Sequence, residues 1–157
     1  MKTCLLIGNR GMPGSYLTKY VPTVSPPDSV RLVGCDLPEI DIADAASVRA
    51  VFARVKPDLV MNCAGYTNVD GAETEKELAL RVNAFGPEIL ARACAAAGAR
   101  LVHISTDFIF DGAQPTPYGE DDKPNPLCFY AKSKLMGELA VRQIAPEHLV
   151  VRTAWLY

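Results

Sequence analysis

The chain has 157 residues, a size that suits one domain with a substantial core. Hydrophobic residues make up 49%, charged residues 22%, and the net charge is -2 with no basic stripe, which argues against nucleic acid as a partner. No apolar run reaches the roughly 18 residues that a membrane span needs, and the N-terminal one is too short for a signal peptide, so we expect a cytoplasmic protein without membrane partners.

Short apolar runs alternate with helical patterns along the chain. In order, we predict a strand at 2–7, a helix at 14–21, a strand at 30–35, a helix at 45–55, a strand at 59–63, a helical stretch at 73–97, a strand at 101–105, a helix at 126–143 and a strand at 149–153. The segments 22–28 and 111–126 are predicted loops. A discontinuity is expected near Gly86-Pro87, and Gly98 suits a helix C-terminus.

The predicted strands lack polar alternation and are separated by helices. This order is typical of an α/β fold with a doubly wound parallel sheet, the Rossmann-like arrangement of NAD(P)-binding domains. Right-handed crossovers then cover both faces of the sheet.

Three glycines, Gly8, Gly11 and Gly14, follow the first strand and open a helix. Glycine lets backbone N–H groups approach a pyrophosphate at the helix N-terminus. Asp36 ends the second strand, 22 residues beyond the last of these glycines, where an acidic residue usually hydrogen-bonds the adenosine ribose. Arg10 lies in the loop and could instead meet a 2′-phosphate, so the choice between NAD and NADP stays open.

Tyr130 and Lys134 are four residues apart on a predicted helix and therefore share one face. An ammonium beside a phenol is expected to lower the tyrosine pKa from its usual value of ~10. Such a tyrosine can act as a general acid toward a carbonyl oxygen. Ser105 and Thr106 end the fourth strand; alone they are ordinary strand-end hydroxyls, but with Tyr130 and Lys134 they complete a catalytic set.

The cysteines and histidines predict no metal site. Five cysteines are present without a Cys-x-x-Cys pair, so neither disulfides nor zinc are expected and most of the thiols are predicted to be buried. His103 lies inside an apolar strand and is expected to pack in the core. No cluster has metal-ligand spacing, so no metal is expected.

A series of motifs carries a family resemblance. In order they are Gly8-x-x-Gly11-x-x-Gly14, Asp41-Ile42-Ala43-Asp44, Asn62-Cys63-Ala64-Gly65, Ser105-Thr106-Asp107-Phe108, Tyr130-x-x-x-Lys134 and Arg152-Thr153-Ala154-Trp155. The series resembles the extended short-chain dehydrogenase/reductases and, within them, the N-terminal cofactor-binding part of the dTDP-4-dehydrorhamnose reductase family. The resemblance implies NAD(P)H-dependent reduction of the C4 ketone of a nucleotide-linked 4-dehydro-6-deoxysugar, as in dTDP-L-rhamnose synthesis.

The resemblance also implies roles for individual residues. Thr106, with Ser105 beside it, would hydrogen-bond the substrate oxygen, Tyr130 would deliver the proton, and Lys134 would hold the nicotinamide ribose while lowering the tyrosine pKa. The implied cofactor contacts are Gly8, Arg10, Gly11, Met12, Gly14, Asp36, Asp41, Ile42, Asn62, Cys63, Ala64, Gly65, Tyr130 and Lys134. The implied sugar-nucleotide contacts are Thr67, Asp107, Phe108, which stands where the family often has Tyr, and Trp155, for which core packing is an equal alternative.

Two other functions stay open. One is a non-catalytic, NADP-binding regulatory subunit similar to the β subunit of methionine adenosyltransferase. The other is a sugar-nucleotide epimerase or dehydratase, although dehydratases typically have Asp-Glu after the threonine and here Phe108 follows Asp107.

The chain stops at Trp155-Leu156-Tyr157, directly after a predicted strand, with no later element to cover these apolar side chains. We therefore expect residues 1–157 to be an NAD(P)-binding domain that is truncated before a substrate domain and inactive in isolation. The oligomeric state stays open, a homodimer included.

Overall fold

Five parallel strands form one sheet in the computed structural model, which describes residues 1–26 and 28–154. They are β1 (Lys2–Ile7), β2 (Val30–Cys35), β3 (Leu59–Asn62), β4 (Arg100–Thr106) and β5 (His148–Thr153). Their order across the sheet is β2-β1-β3-β4-β5, and each neighbouring pair is parallel. The predicted parallel α/β sheet is confirmed.

The helices cover both faces of this sheet. They are α1 (Met12–Val24), α2 (Ala45–Val55), α3 (Lys76–Leu80), α4 (Gly86–Ala97) and α5 (Phe129–Ile144). Helices α2, α4 and α5 pack side by side on one face, and right-handed crossovers place α1 on the other, which is the doubly wound arrangement. Within the described ranges, no helix is both long and apolar enough to cross a membrane.

The core lies between the sheet and the layer of α2, α4 and α5. Alternate residues of a strand face the same side, so Leu5 and Ile7 of β1 point into this layer together with Val60 of β3. They meet helix residues such as Val51 and Leu90, and all five are at most 3% exposed. Complete burial of such side chains contributes about 1.5–3 kcal/mol each. This packing fixes the strand ends from which the loops of the site emerge.

Helix α1 is longer than predicted. We expected it to end at Val21 with a loop from Pro22, but it continues through Pro22 to Val24. A proline inside a helix removes the hydrogen bond to the carbonyl four residues earlier, here that of Thr18. Both Thr18 and Pro22 are exposed, so water can solvate this carbonyl and the helix tolerates the proline.

The predicted helical stretch 73–97 is divided into several pieces. A 3₁₀ turn at Gly71–Glu73 precedes α3, and a π-helical turn at Arg81–Phe85 joins α3 to α4. The expected discontinuity near Gly86-Pro87 is confirmed, and Gly98 ends α4 with a φ of 65°. The start of α5 differs from the prediction by three residues, because Cys128 has extended backbone as its N-cap and the helix begins at Phe129.

Candidate active site

A groove of about 500 Å³ lies at the carboxyl ends of β1 and β3. The chain leaves these neighbouring strands in opposite directions, β1 toward β2 and β3 toward β4, and such a switch point opens a crevice in a parallel sheet. The residues lining the groove are Ile7, Gly8, Gly11, Met12, Pro13, Asp36, Leu37, Ile40, Asp41, Ile42, Cys63, Ala64, Gly65, Thr67, Val82, Ile104, Tyr130 and Lys134.

One end of the groove is formed by backbone. Gly8 has a φ of 77°, and a Cβ there would lie 2.6 Å from the backbone nitrogen of Ala64, so only glycine fits. The N–H of Gly11 donates to the Gly8 carbonyl at 3.1 Å and closes the turn. Helix α1 follows with no side-chain cap at Gly11. The first N–H groups of a helix have no intrahelical partner, so this end attracts an anion.

Asp36 and Arg10 meet beside this turn. The Asp36 carboxylate accepts hydrogen bonds from the backbone N–H of Arg10 at 3.1 Å and of Leu37 at 2.9 Å. The Arg10 guanidinium turns away, donating to the Leu37 carbonyl at 2.8 Å and to Glu39 at 2.7 Å. Asp36 therefore lines the groove, whereas Arg10, Gly14 and Asn62 are predicted cofactor residues that do not.

Apolar side chains line the next part of the groove, and an ion pair lies beside them. Asp41 accepts from Arg81 at 2.7 Å, which links the segment after β2 to the π turn. Ile42 packs against Gly86, where an added Cβ would lie 2.7 Å from the isoleucine side chain. Together with Ile40 and Val82, Ile42 gives the groove an apolar wall that suits a planar ring.

Neutral polar side chains lie beneath the end of β3. Asn62 is buried; its Oδ1 accepts from the Ala64 N–H at 3.1 Å and its Nδ2 is 3.1 Å from His103 Nδ1. Burial lowers the pKa of His103 to about 3, assisted by the charge of Lys134. Burial raises the pKa of Cys63 to about 11, although Lys134 acts in the other direction. Near neutral pH His103 is thus a neutral imidazole, packed in the core as predicted, and Cys63 is a thiol.

Lys134 lies at the other end of the groove. Its Nζ donates to the Ile104 carbonyl at 2.7 Å, and the residue is only 6% exposed. Burial lowers its pKa to about 8, while Glu138 and Cys63 act in the opposite direction. The buried amine is therefore still mostly an ammonium at pH 7.

Tyr130 lines the same end of the groove. Burial raises its pKa, while a hydrogen bond with Thr106 acts to lower it. The Tyr130 pKa is thus raised, whereas we predicted that it is lowered: burial is the largest cause, and the charges of Asp107 and Cys128 act in the same direction. The Phe108 ring meets the Tyr130 ring edge-on, with 6.1 Å between the ring centroids.

The two hydroxyls at the end of β4 differ in their surroundings. Thr106 donates from Oγ1 to Asp107 at 3.2 Å and accepts from the Phe108 N–H at 3.2 Å. Successive strand residues point to opposite faces, so Ser105 lies on the other side of the strand from Thr106. Its Oγ is buried and has no hydrogen-bond partner among the described residues. The structure thus brings Thr106, but not the Ser105 hydroxyl, to Tyr130.

A larger cavity of about 1090 Å³ lies on the other side of Phe108. Asp107 and Phe108, two of the predicted substrate residues, line it, whereas Thr67 lines the groove instead. The loop 111–126 borders this cavity and is anchored by Asp111, which accepts from Tyr118 at 2.7 Å and Asn125 at 2.9 Å. Hydrogen bonds lower the pKa of Asp111 to about 2. The fourth predicted substrate residue, Trp155, is outside the described residues.

Asn83, which is not among the predicted site residues, holds the site together. Asn83 lies in the π turn and is 1% exposed. It exchanges two hydrogen bonds of 2.9 Å with the backbone of Tyr66 and donates to Ser133 at 3.0 Å. It therefore ties the loop after β3 to α5. A single polar residue in the run Val82-Asn83-Ala84-Phe85 was the available signal.

A second missed feature is the ion pair between Glu138 of α5 and Arg152 of β5, at 2.9 Å. The Glu138 side chain is 1% exposed and that of Arg152 is 19% exposed. The spacing Tyr130, Lys134, Glu138, with four residues at each step, marks Glu138 in the sequence as a residue of the same helix face.

Comparisons with known proteins agree with this geometry. The dTDP-4-dehydrorhamnose reductase of Mycobacterium tuberculosis is 44% identical over 157 residues, covering 98% of this chain and 50% of the relative. Two crystal structures have a TM-score of 0.93 to the chain. A dTDP-4-dehydrorhamnose reductase from Clostridium acetobutylicum is 39% identical, and one from Bacillus anthracis, in complex with NADP, is 35% identical. Each alignment covers 99% of this chain and 54% of the other.

The chain spans about half the length of these relatives. The family model that describes the RmlD substrate binding domain matches residues 1–157, the whole of the chain. With a match of that extent, the chain belongs to the RmlD substrate binding domain family.

Proposed function

We propose that this chain binds a nicotinamide dinucleotide, NADP or NAD, and that the protein carrying it reduces the C4 ketone of a nucleotide-linked 4-dehydro-6-deoxysugar. The names of the similar reductases support this substrate class. The observation that carries the proposal is a single groove that has the glycine turn and Asp36 at one end and Tyr130 and Lys134 at the other.

The residues present fit such a dinucleotide. The uncapped N-terminus of α1 suits a pyrophosphate, and the Asp36 carboxylate at the end of β2 suits ribose hydroxyls. Ile40, Ile42 and Val82 offer an apolar wall for an adenine. When bound, a reduced nicotinamide would supply the hydride, so the protein groups need only provide position, charge and a proton.

In this proposal, Tyr130 is the general acid. Its raised pKa keeps the hydroxyl protonated at neutral pH, which is the form that a proton donor must have. When the ketone carbon gains a hydride and its C=O π bond breaks, the oxygen would take the Tyr130 proton, which would leave an alcohol and a phenolate. A donor that is already aimed at this oxygen stabilises the transition state more than the ground state. Thr106, which lies close enough to Tyr130 to lower its pKa, would hold the same oxygen in position.

Lys134 would act beside Tyr130 as a cation. Its ammonium has three donors, of which the Ile104 carbonyl takes one, so the others can reach a ribose hydroxyl. The same positive charge stabilises the phenolate that forms when Tyr130 gives up its proton.

The test compares Tyr130→Phe with the unchanged protein in the oxidation of NADPH by dTDP-4-dehydrorhamnose. We expect turnover to fall by roughly 10²-fold or more, the scale of a lost general acid. NADPH binding, measured by fluorescence titration, should change little because the phenyl ring remains. Tyr16→Phe is the control, since Tyr16 is exposed on α1 and stacks on Tyr20 away from the groove.

Two outcomes contradict the proposal. Equal turnover in the Tyr130→Phe variant and the unchanged protein would rule out the acid role. Tight NADPH binding with no reduction of any nucleotide-linked ketosugar would favour a coenzyme-binding regulatory subunit instead.

A further inference from the structure

A buried ion pair lies directly behind the proposed catalytic residues. Glu138 is fully buried in α5, and its carboxylate accepts from the Arg152 Nη2 at 2.9 Å and Nε at 3.2 Å. Arg152 also donates to the Glu120 carbonyl at 3.3 Å and lies over the Phe110 ring, 5.2 Å from its centroid. Both charges are thus held in one geometry by α5, β5 and the loop 111–126.

Glu138 follows Lys134 by one helical turn and faces the same side of α5. The other groups around the Lys134 amine come from several elements. His103 of β4 and Cys63 after β3 interact electrostatically with it, and Tyr130 lies one turn before it on α5. His103, with a pKa of about 3, and Cys63, with a pKa of about 11, are uncharged at pH 7, and so is Tyr130.

This arrangement makes Glu138 the anion that acts on Lys134. Burial disfavours the ammonium, and of the groups that raise the pKa of Lys134, Glu138 has the largest effect. Without a nearby anion, a lysine buried to this extent would lose its proton close to neutral pH. Arg152 shares the carboxylate and so limits how strongly Glu138 acts on the amine.

We propose that Glu138 and Arg152 are positioning residues of the site that act in opposite directions on the charge of Lys134: the Glu138 carboxylate favours the ammonium form, and Arg152, paired with that carboxylate, limits this effect. Neither side chain lines the groove, so neither is placed to contact the coenzyme, although Arg152 lines the larger cavity beside Phe108. The value of the ammonium for reduction rests on the proposed function. The charge of Lys134 itself does not, and it can be measured in the ligand-free chain.

The test is a titration of Lys134 by ¹³C NMR of lysine labelled at Cε, with the Lys134 signal assigned by its absence in Lys134→Arg. In the unchanged chain we expect a midpoint of about 8. Glu138→Gln removes the anion and leaves Arg152, so the midpoint should fall by about one pH unit or more. Arg152→Gln removes the cation that pairs with the Glu138 carboxylate, so this carboxylate acts more strongly on Lys134 and the midpoint should rise by about one pH unit. The double variant should return close to 8, as should Arg152→Lys, which keeps the charge.

The opposite shifts of the Lys134 midpoint in Glu138→Gln and Arg152→Gln distinguish this proposal from a purely structural role of the ion pair. A structural ion pair would lower the thermal stability of all the variants and leave the Lys134 midpoint unchanged. Midpoints that do not move, or that move in the same direction in Glu138→Gln and Arg152→Gln, overturn the proposal. If Glu138→Gln fails to fold, an upward shift in Arg152→Gln supports the proposal and an unchanged midpoint overturns it.

Enzymatic measurements connect the inference to turnover. In the protein that carries this chain, the alkaline limb of kcat/KM against pH should follow the Lys134 midpoint in each variant, about tenfold in rate per pH unit along that limb. Shifted midpoints in a protein that reduces no ketosugar would contradict the reductase assignment alone. Unshifted midpoints in an active reductase would contradict the role of the ion pair alone.

Discussion

Helix α1 buries one of its 13 residues, Gly14, whereas α5 buries six of 16, among them Ser133, Lys134 and Glu138. Both helices border the groove. Among the residues that the structure describes, α1 is the one helix on its face of the sheet, and it contributes backbone and an uncapped N-terminus. Helix α5 packs against α4 and the π turn and contributes charged and hydroxyl side chains.

This difference shows how each end of the groove is supported. The end of the groove at the glycine turn depends on close approach of backbone segments, which glycine allows. It needs few buried side chains to support it. The end of the groove at Tyr130 and Lys134 depends on ionisable groups whose orientation and charge are set by buried neighbours. For Lys134, the Ile104 carbonyl orients the amine and Glu138 favours its charged form. The first end should therefore respond to mutation mainly in binding, and the second in stability and pH dependence.

The largest effect should come from a matched pair of glycine substitutions. In Gly137→Ala of α5, the new Cβ would overlap the backbone carbonyl of Asn83, and in Gly14→Ala of α1 it would overlap that of Gly8. We expect Gly137→Ala to lower the free energy of unfolding by about 3 kcal/mol, because the layer around it is tightly packed. Gly14→Ala should cost about 1 kcal/mol, since α1 can shift, but should weaken NADPH binding by roughly tenfold or more.

Urea unfolding and NADPH titration measure both effects. For the unfolding measurement alone, Gly11→Ala is the control, because its Cβ would meet the Gly8 carbonyl at an ordinary 3.4 Å and its φ is -71°. Equal stability losses for Gly14→Ala and Gly137→Ala would refute the distinction between the two helices.

Lys134→Met tests the cost of the buried ammonium in α5. The Lys134 pKa is about 8 when folded, against about 10.4 in an unfolded chain, so at pH 7 folding carries a charging penalty of about 3 kcal/mol. After loss of the hydrogen bond to Ile104, worth about 1 kcal/mol, Lys134→Met should raise the free energy of unfolding at pH 7 by about 2 kcal/mol.

The pH dependence of this gain has a definite sign. Between pH 8 and about 10.4 the unfolded chain binds more protons than the folded one, so the unchanged protein becomes more stable as the pH rises. The advantage of methionine should therefore shrink over this interval in denaturant curves recorded at several pH values. A variant that is less stable than the unchanged chain at pH 7 would show that the amine is not buried as described.

The smallest effect should be at Glu39, beside α1. Its carboxylate holds Arg10 at 2.7 Å in an exposed ion pair, away from the Asp36 side of the groove. Exposed pairs contribute about 0.2–1 kcal/mol, so Glu39→Gln should tighten NADPH binding by only about two- to fivefold and leave NADH binding unchanged. Arg10→Gln/Glu39→Gln is the control, in which the gain should vanish. An equal change in affinity for NADPH and NADH would show that Arg10 does not bind the 2′-phosphate.

Much of the fold could be predicted from local pattern. Strands β1 and β2 and helix α2 have the predicted bounds, because each is an apolar run or amphipathic pattern that ends at a glycine, proline, aspartate or lysine. Helix α1 was predicted too short because the cost of Pro22 depends on whether the Thr18 carbonyl is exposed, which is a tertiary property.

Some features of the site could likewise be predicted from the sequence, and others could not. The glycine turn and Asp36 are adjacent to strand ends, so sequence alone indicates where they meet. The direction of the Tyr130 pKa shift was mispredicted, because spacing along a helix reveals a neighbour but not the burial that α5 acquires from β4 and the π turn. Asn83 and the Glu138–Arg152 pair join segments 14 to 50 residues apart, which no local pattern encodes.

The strand order has a consequence for how such a domain can change over evolutionary time. Since β1 and β3 send the chain to opposite sides, the opening between them exists whatever side chains surround it. Exchanging apolar residues such as Leu37, Ile40 or Val82 would reshape this opening without closing it. Exchanges at these positions can therefore change the shape of the groove while the scaffold persists.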